Sequence, residues 1–319
     1  MDAPATMAAA VEEYLAVRRK LGFALHIEGQ ELGRFARFAE KVGHTETITT
    51  ELAVRWATLP ADARRLYHAR RLDAVRRLAR HLAVFEPATE IPPKGLLGPS
   101  YGRREPHIYS EDEVAELLSM AARLGPLGGL RPHTYTTLFG LLACAGLRIS
   151  EALALSRRDV DLDAGIISIA AGKFHRSRLV PVHPTTVQAL RAYSDHRDRY
   201  HRNPRSATFF VSEFGTSLKY PKVLATFADL RRRLGWTAGR GARPPRIHDL
   251  RHTLVVRRIL SWYQEGVDID RKIASLSTYL GHVKVTSTYW YLTAVPELLA
   301  VCAARFEQFA NHTDPGGRR

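Results

Sequence analysis

The sequence predicts a mainly α protein with a small antiparallel β-sheet or hairpin: an N-terminal helical bundle followed by a larger α+β domain. Three observations carry that prediction. Up to residue 86 the apolar residues recur at helical spacing. From 87 to 106 proline and glycine interrupt any helix. Beyond that, only two neighbouring stretches alternate apolar and polar residues as strands do. The expected boundaries are 1–86 for the bundle, 87–106 for a linker and 107–319 for the second domain. With 319 residues, 45% of them hydrophobic, the chain can fill two cores.

In order, the first helix is expected from Thr6 to Leu21, with Val11, Tyr14, Leu15 and Leu21 near one face and Gly22 as its stop. A second covers Ile27 to Val42, with Leu32, Phe35 and Phe38 inward. Thr49 or Thr50 caps a third. The fourth runs from Ala61 to Ala83, with Leu66, Leu72, Val75, Leu78, Ala79 and Leu82 as its apolar stripe. Arginines occupy most of the rest. A charge run is usually a solvated face. This one is nearly all of one sign, offset in its second half only by Asp73, and like charges repel without a partner. Arg70, Arg71, Arg76, Arg77 and Arg80 are therefore expected to bind DNA, chiefly through its phosphates.

The second domain opens at Ile108 to Leu118, where Ser110 and Glu113 have capping-box spacing. A helix from His133 to Ala145 ends at Gly146. Arg148 follows, and Ser150 is placed to cap the next helix. The alternating runs G-I-I-S-I-A and R-L-V-P-V flank A-G-K-F-H-R-S, a hairpin whose basic tip carries Lys173. Helices over Thr185 to Tyr200 and Val223 to Leu234 then lead to I-H-D-L-R-H-T at 247–253 and Y-L-G-H-V-K-V-T-S-T-Y-W-Y-L at 279–292. A short strand-like F-F-V-S lies between those helices. Arg231, Arg232 and Arg233 suit either DNA or the negative end of their own helix.

A net charge of +15 and a pI near 10.1 favour a polyanionic partner. Residues 1–105 hold 17 Lys/Arg against 13 Asp/Glu and the remainder 30 against 19, so the larger excess lies in the second domain. No run of 18 apolar residues and no secretion signal are apparent, so a cytoplasmic protein without a membrane partner is expected. Cys144 and Cys302 read as buried thiols.

The two late boxes place His248, Arg251, His252, His282, Tyr289 and Tyr291 within one segment. His248 and Arg251, three apart, share a helix face. Arginine suits phosphate because its planar fork matches the oxygens and keeps its charge. Two arginines, two histidines and a tyrosine meet the needs of phosphoryl transfer from DNA to a hydroxyl.

On these residues the chain resembles the tyrosine recombinases, the phage-integrase family of DNA strand-exchange enzymes. Such proteins carry an arginine in G-L-R-x-S-E, a lysine on a β-hairpin, H-x-L-R-H, and L-G-H followed nine residues on by tyrosine. Here these are Arg148, Lys173, His248 with Arg251, His282 and Tyr291. The resemblance is close over the C-terminal two-thirds and implies a tyrosine-recombinase catalytic domain. In it Arg148 and Arg251 clamp the scissile phosphate, His248 and His282 add hydrogen bonds, and Lys173 protonates the 5′-oxygen. Tyr291 attacks to form a 3′-phosphotyrosyl link. No metal or cofactor is expected.

The resemblance further implies a two-domain clamp around duplex DNA carrying a specific recombination site, and a homo-tetramer on two such sites, with or without companion recombinases. It also implies that the C-terminal stripe Leu298, Leu299, Cys302, Phe306 and Phe309 docks into a neighbouring protomer, although packing on its own domain remains open. Family spacing selects Tyr291 over Tyr289, and two residues on a helix face about 200° apart. His252 is expected to bond locally, outside the chemistry. The segment 257–279 is longer than compact members need and resembles that of transposon-borne recombinases, which points to a mobile-element integrase or transposase. The alternatives are a type IB-like topoisomerase and a non-catalytic DNA-binding protein that kept the fold.

Overall fold

The computed structural model describes residues 6–44, 47–101, 105–170, 177–202, 205–237, 244–282, 284–286, 288, 289 and 291. The chain forms two compact units, Met1–Arg104 and Glu105–Arg319.

In the first unit four helices, α1 (Met7–Lys20), α2 (His26–Lys41), α3 (Thr50–Thr58) and α4 (Arg65–Leu82), enclose a core that includes Leu32, Phe35, Ile48, Trp56 and Leu78. Hydroxyl caps start two of them: Thr6 accepts from the Ala9 N–H and Thr49 from the Leu52 N–H. Helix α4 begins four residues later than its apolar spacing predicts. Pro60 opens a turn closed by the Ala63 N–H, and the Pro60 carbonyl also bonds the His68 ring at 2.8 Å. Residues 87–101 are irregular but attached to this unit. Thr89 is buried, Glu90 accepts from the Thr50 N–H at 2.7 Å, and the Ser100 hydroxyl donates to Asp73 at 2.5 Å.

The second unit combines α5 (Glu111–Ala122), α6 (Leu130–Ala145), α7 (Ile149–Ala154), α8 (Pro184–Tyr200), α9 (Tyr220–Arg233), α10 (Ile247–Gln264) and α11 (Ile269–Leu280) with one small sheet. The Ser110–Glu113 capping box is formed in both directions. Helix α6 starts three residues earlier than predicted, because the Glu213 carboxylate accepts from the N–H groups of Leu130 and Arg131. The sheet is antiparallel in the order β1 (Val160–Asp161), β2 (Ile166–Ile169), β3 (Arg178–Pro181), with Ile167 opposite Val180 and Ile169 opposite Arg178. In place of the expected F-F-V-S strand there is one isolated bridge, Val211 with Ser217, and a second just before it, Thr208 with Ser156.

The main core joins Leu138 and Phe139 of α6 to Ile167, Val180, Phe227 and Leu250. A second cluster, between α10 and α11, contains Val255, Val256, Ile259, Ile273, Leu280 and Tyr291. Helix α6 buries Leu138, Leu141, Leu142 and Ala145 and turns Cys144 outward, which corrects the expectation that this thiol is buried. Cys302 and the rest of the C-terminal stripe lie outside the described residues. Among the described residues no helix is long and apolar enough to cross a membrane.

Candidate active site

The site is built on the ends of two helices. Helix α6 stops at Gly146 (φ 60°) and α11 at Gly281 (φ 66°), a left-handed conformation that glycine adopts without strain. Both positions are also crowded. A Cβ on Gly146 would lie 2.6 Å from Leu254, and one on Gly281 would lie 2.8 Å from the Arg178 guanidinium. The last carbonyls of a helix have no partner within it and carry the negative end of its dipole. Here they hold the predicted arginines. Arg251 donates from Nη1 to the Gly146 carbonyl and from Nη2 to the Leu280 carbonyl, both at 2.6 Å. Arg148 donates from Nη2 to the Gly281 carbonyl at 2.9 Å.

Glu151 braces the arrangement from α7. Its carboxylate accepts from the Arg148 backbone N–H at 2.9 Å and from Arg148 Nη1 at 2.7 Å. Arg148 is therefore the residue preceding α7, and the cap expected from Ser150 is absent because Ser150 lies within the helix. The same carboxylate receives both terminal nitrogens of Arg178, at 3.0 and 2.8 Å, while Arg178 Nε donates to the Tyr279 carbonyl. Burial pushes Glu151 up, but the hydrogen bonds from Arg178 and Arg148 outweigh it and hold the carboxyl at about 2. Arg178 thus ties the stem of the hairpin to α7 and to the end of α11. Nothing in its sequence context marks it. Lys173, placed by sequence between β2 and β3, lies outside the described residues.

The histidines are neutral in this setting. Partial burial of the ring, then Arg251, lowers His248 to about 4, although the residue as a whole is exposed. Burial, then Arg251 and Arg148, lowers His282 to about 3. Its Nδ1 lies 2.7 Å from the buried Thr288 hydroxyl. Arg251 is itself lowered, by burial and by Arg148, to about 10, and so stays charged at neutral pH. The guanidinium groups of Arg148 and Arg178 pair with the carboxylate of Glu151, and Arg251 lies within electrostatic reach of all three. That leaves positive charge uncompensated where an anion with several acceptor oxygens could bind.

Tyr291 and Tyr289 part company. Tyr289 is 39% exposed and its hydroxyl donates to Asp270 at 3.1 Å. Tyr291 is 3% exposed, its ring in the α10–α11 cluster and its hydroxyl 2.6 Å from Nδ1 of His252. His252 in turn meets His248 edge to face, with ring centroids 4.6 Å apart. The structure therefore brings Arg148, Arg251, His248, His282 and Tyr291 into one neighbourhood. It also adds His252, which the sequence reading sets aside. The signal was its position four residues after His248, which puts both rings on one face of α10.

The five arginines of α4 divide. Arg71 is buried, with Nη2 on the Trp56 carbonyl at 2.9 Å and its guanidinium over the indole at 3.9 Å. Arg76 is buried with Nε on Asp73 at 3.0 Å. Both correct the expectation that they face DNA, and spacing explains why. Arg71 lies one helical turn before Val75 and two before Leu78, and Arg76 falls between Leu72 and Ala79 on the same inner face. Arg70, Arg77 and Arg80 are exposed, Arg70 on the Ser100 carbonyl and Arg77 on Glu28.

Known proteins resemble this chain in sequence and in fold. Residues 108–297 match the phage integrase family. A protein of Sinorhizobium fredii named integrase/recombinase y4rB is 41% identical over 308 residues, covering 95% of this chain and 98% of its own. Among solved structures, XerH site-specific recombinase bound to palindromic difH aligns over 93% of this chain and 84% of its own (TM-score 0.66, 16% identity). The Tn1549 transposon integrase bound to transposon right-end DNA aligns over 96% and 99% (TM-score 0.64, 15% identity). At such identities the two structures speak for the fold, while the sequence match speaks for descent. The chain belongs to the phage integrase family and is a tyrosine-type site-specific recombinase.

Proposed function

We propose that this recombinase cuts and rejoins DNA through a 3′-phosphotyrosyl link on Tyr291, and that it serves the integration, excision or transposition of a mobile element. The observation that carries this reading is the convergence of Arg148 and Arg251 on the ends of α6 and α11, in a pocket of surplus positive charge that also holds His248, His282 and Tyr291. Arg148 and Arg251 neutralise charge as it builds on the non-bridging oxygens, and neutral His248 and His282 donate hydrogen bonds to them. Lys173 supplies the proton for the departing 5′-oxygen. The covalent link conserves the energy of the broken bond, so resealing needs no nucleotide. Exchange between two duplexes requires a cut in each of four strands and therefore four tyrosines, which supports a homo-tetramer on two sites. Arg70, Arg77 and Arg80 hold the DNA backbone. The mobile-element role draws on the likeness to the transposon integrase.

The burial of Tyr291 and Arg251 favours a second reading, a family member that binds DNA without cutting it. A duplex selected from a randomised pool by this protein, nicked beside the candidate scissile phosphate so that the cut strand escapes, separates the two. The recombinase reading expects a covalent adduct with the wild type and with Tyr289→Phe, and none with Tyr291→Phe. Tight binding without an adduct supports the second reading.

A further inference from the structure

The Tyr291 hydroxyl sits 2.6 Å from Nδ1 of His252. A phenol keeps its proton at neutral pH, so attack by its oxygen needs an acceptor. From this contact we propose that His252 is a catalytic residue, the base that takes the tyrosine proton as the phosphodiester is attacked. The proposal rests on the reading of Tyr291 as the nucleophile and adds to it the fate of the proton.

In the cleavage step, Tyr291 Oη bonds to phosphorus as the P–O5′ bond breaks. The phenolic proton passes to His252 Nδ1, and the 5′-oxygen takes its proton from Lys173. Rejoining runs in reverse: the 5′-hydroxyl attacks, the tyrosine oxygen leaves, and His252 returns the proton to it.

Three features suit His252 to this task. It lies on α10, one turn after His248 and next to Arg251, so the helix that fixes an arginine clamp also fixes the base. Its Nδ1 already faces the reacting oxygen at 2.6 Å and, in the tautomer protonated at Nε2, is the acceptor in that contact. Finally, it is neutral: burial, then His248, Arg246 and Arg251, hold it at about 3, so the ring is a weak base until the site fills. An arriving phosphate cancels part of that positive field and raises the basicity of the ring when the proton must move. His282 and Tyr291 also face this group.

The test is single-turnover adduct formation by the full chain on the selected nicked duplex, with a phosphodiester or a 5′-bridging sulfur at the cut. A thiol, with a pKa of about 8.5, departs without a proton, so the sulfur removes the need for an acid but not for a base. His252→Ala and His252→Asn are each expected to slow the phosphodiester by about 10²-fold or more. Duplex binding should stay within about twofold of wild type. Sulfur should restore Lys173→Ala and leave both His252 variants slow. Asn keeps an acceptor close to the Nδ1 position but cannot take up a proton, so it decides the matter even if the Ala variant misfolds. A rate for His252→Asn within about threefold of wild type would overturn the proposal, since positioning alone would then suffice. Rescue of the His252 variants by sulfur would overturn it too, by moving the residue to the leaving-group side. If the wild type forms no adduct, the functional reading falls and takes this step with it.

Discussion

Two tyrosines two positions apart meet opposite fates: Tyr289 lies at the surface on Asp270, and Tyr291 is enclosed with its hydroxyl on His252. Replacing Tyr289 by Phe therefore removes one exposed hydrogen bond, and the denaturant midpoint should not move measurably. The histidines make a stronger prediction. In an unfolded chain histidine titrates near 6.5, whereas folding places His248 near 4 and His252 and His282 near 3. Between those values the unfolded chain binds more protons than the folded one, so stability falls as pH drops below about 6.5, down to the folded values. Glu151 acts in the same direction over a lower window: its stabilisation is complete above the ordinary carboxylate range and is lost as pH falls towards 2. Melting temperature should thus decline steadily from about pH 6.5 to pH 4, and His252→Asn should flatten the decline. A melting temperature constant across that range would contradict the neutral state of these histidines.

At the scale of elements, the ends of α6 and α11 matter more than their lengths. Gly281→Ala forces a side chain into a left-handed turn, about 1–2 kcal/mol on its own, and drives its Cβ into Arg178. Cleavage should fall along with stability. Arg178→Ala frees one side of Glu151 and unties β3 from α11, so it should slow adduct formation while DNA affinity holds, a split that single-turnover and binding assays resolve. The sequence made the site's arginines legible because G-L-R and H-x-L-R-H are local patterns. It could not show what those arginines rest on, since the Gly146, Leu280 and Gly281 carbonyls are brought to them only by the fold. The start of α6 was misplaced for a similar reason: its cap, Glu213, lies 82 positions away from Arg131. Strand β1 has two residues, too few to leave an alternation. The α4 arginines are different, because their spacing against Val75, Leu78 and Ala79 already puts Arg71 and Arg76 on the inner face, whatever their charge. Arg71→Ala should accordingly cost about 1–3 kcal/mol of stability, read by denaturant titration, by removing a buried charged hydrogen bond to the Trp56 carbonyl and the guanidinium packed over the indole. The exposed Arg70, Arg77 and Arg80 should instead change DNA binding. Each of these arginines that grips a phosphate adds about 0.9 to the salt slope of affinity, so its replacement by Ala should flatten that slope in titrations at several ionic strengths.

For the whole molecule, charge, fold and site agree. A chain of net charge +15 carries its larger basic excess in the unit that holds the two arginine-bearing helix ends. The mainly α architecture with one small antiparallel sheet was readable from periodicity. The enclosure of Tyr291 was not, because the cluster that covers its ring draws on Val255, Ile259, Ile273 and Leu280 from two other helices. That enclosure has a functional consequence: the ring must turn out, or its cover must open, for the hydroxyl to meet the scissile phosphate. The most direct test digests the trapped protein–DNA adduct with nuclease and protease and locates the nucleotide-bearing residue by mass spectrometry. A 3′-nucleotide on the phenolic oxygen of Tyr291 is the expected result; a nucleotide on Tyr289 or on any other side chain would contradict the assignment of the nucleophile.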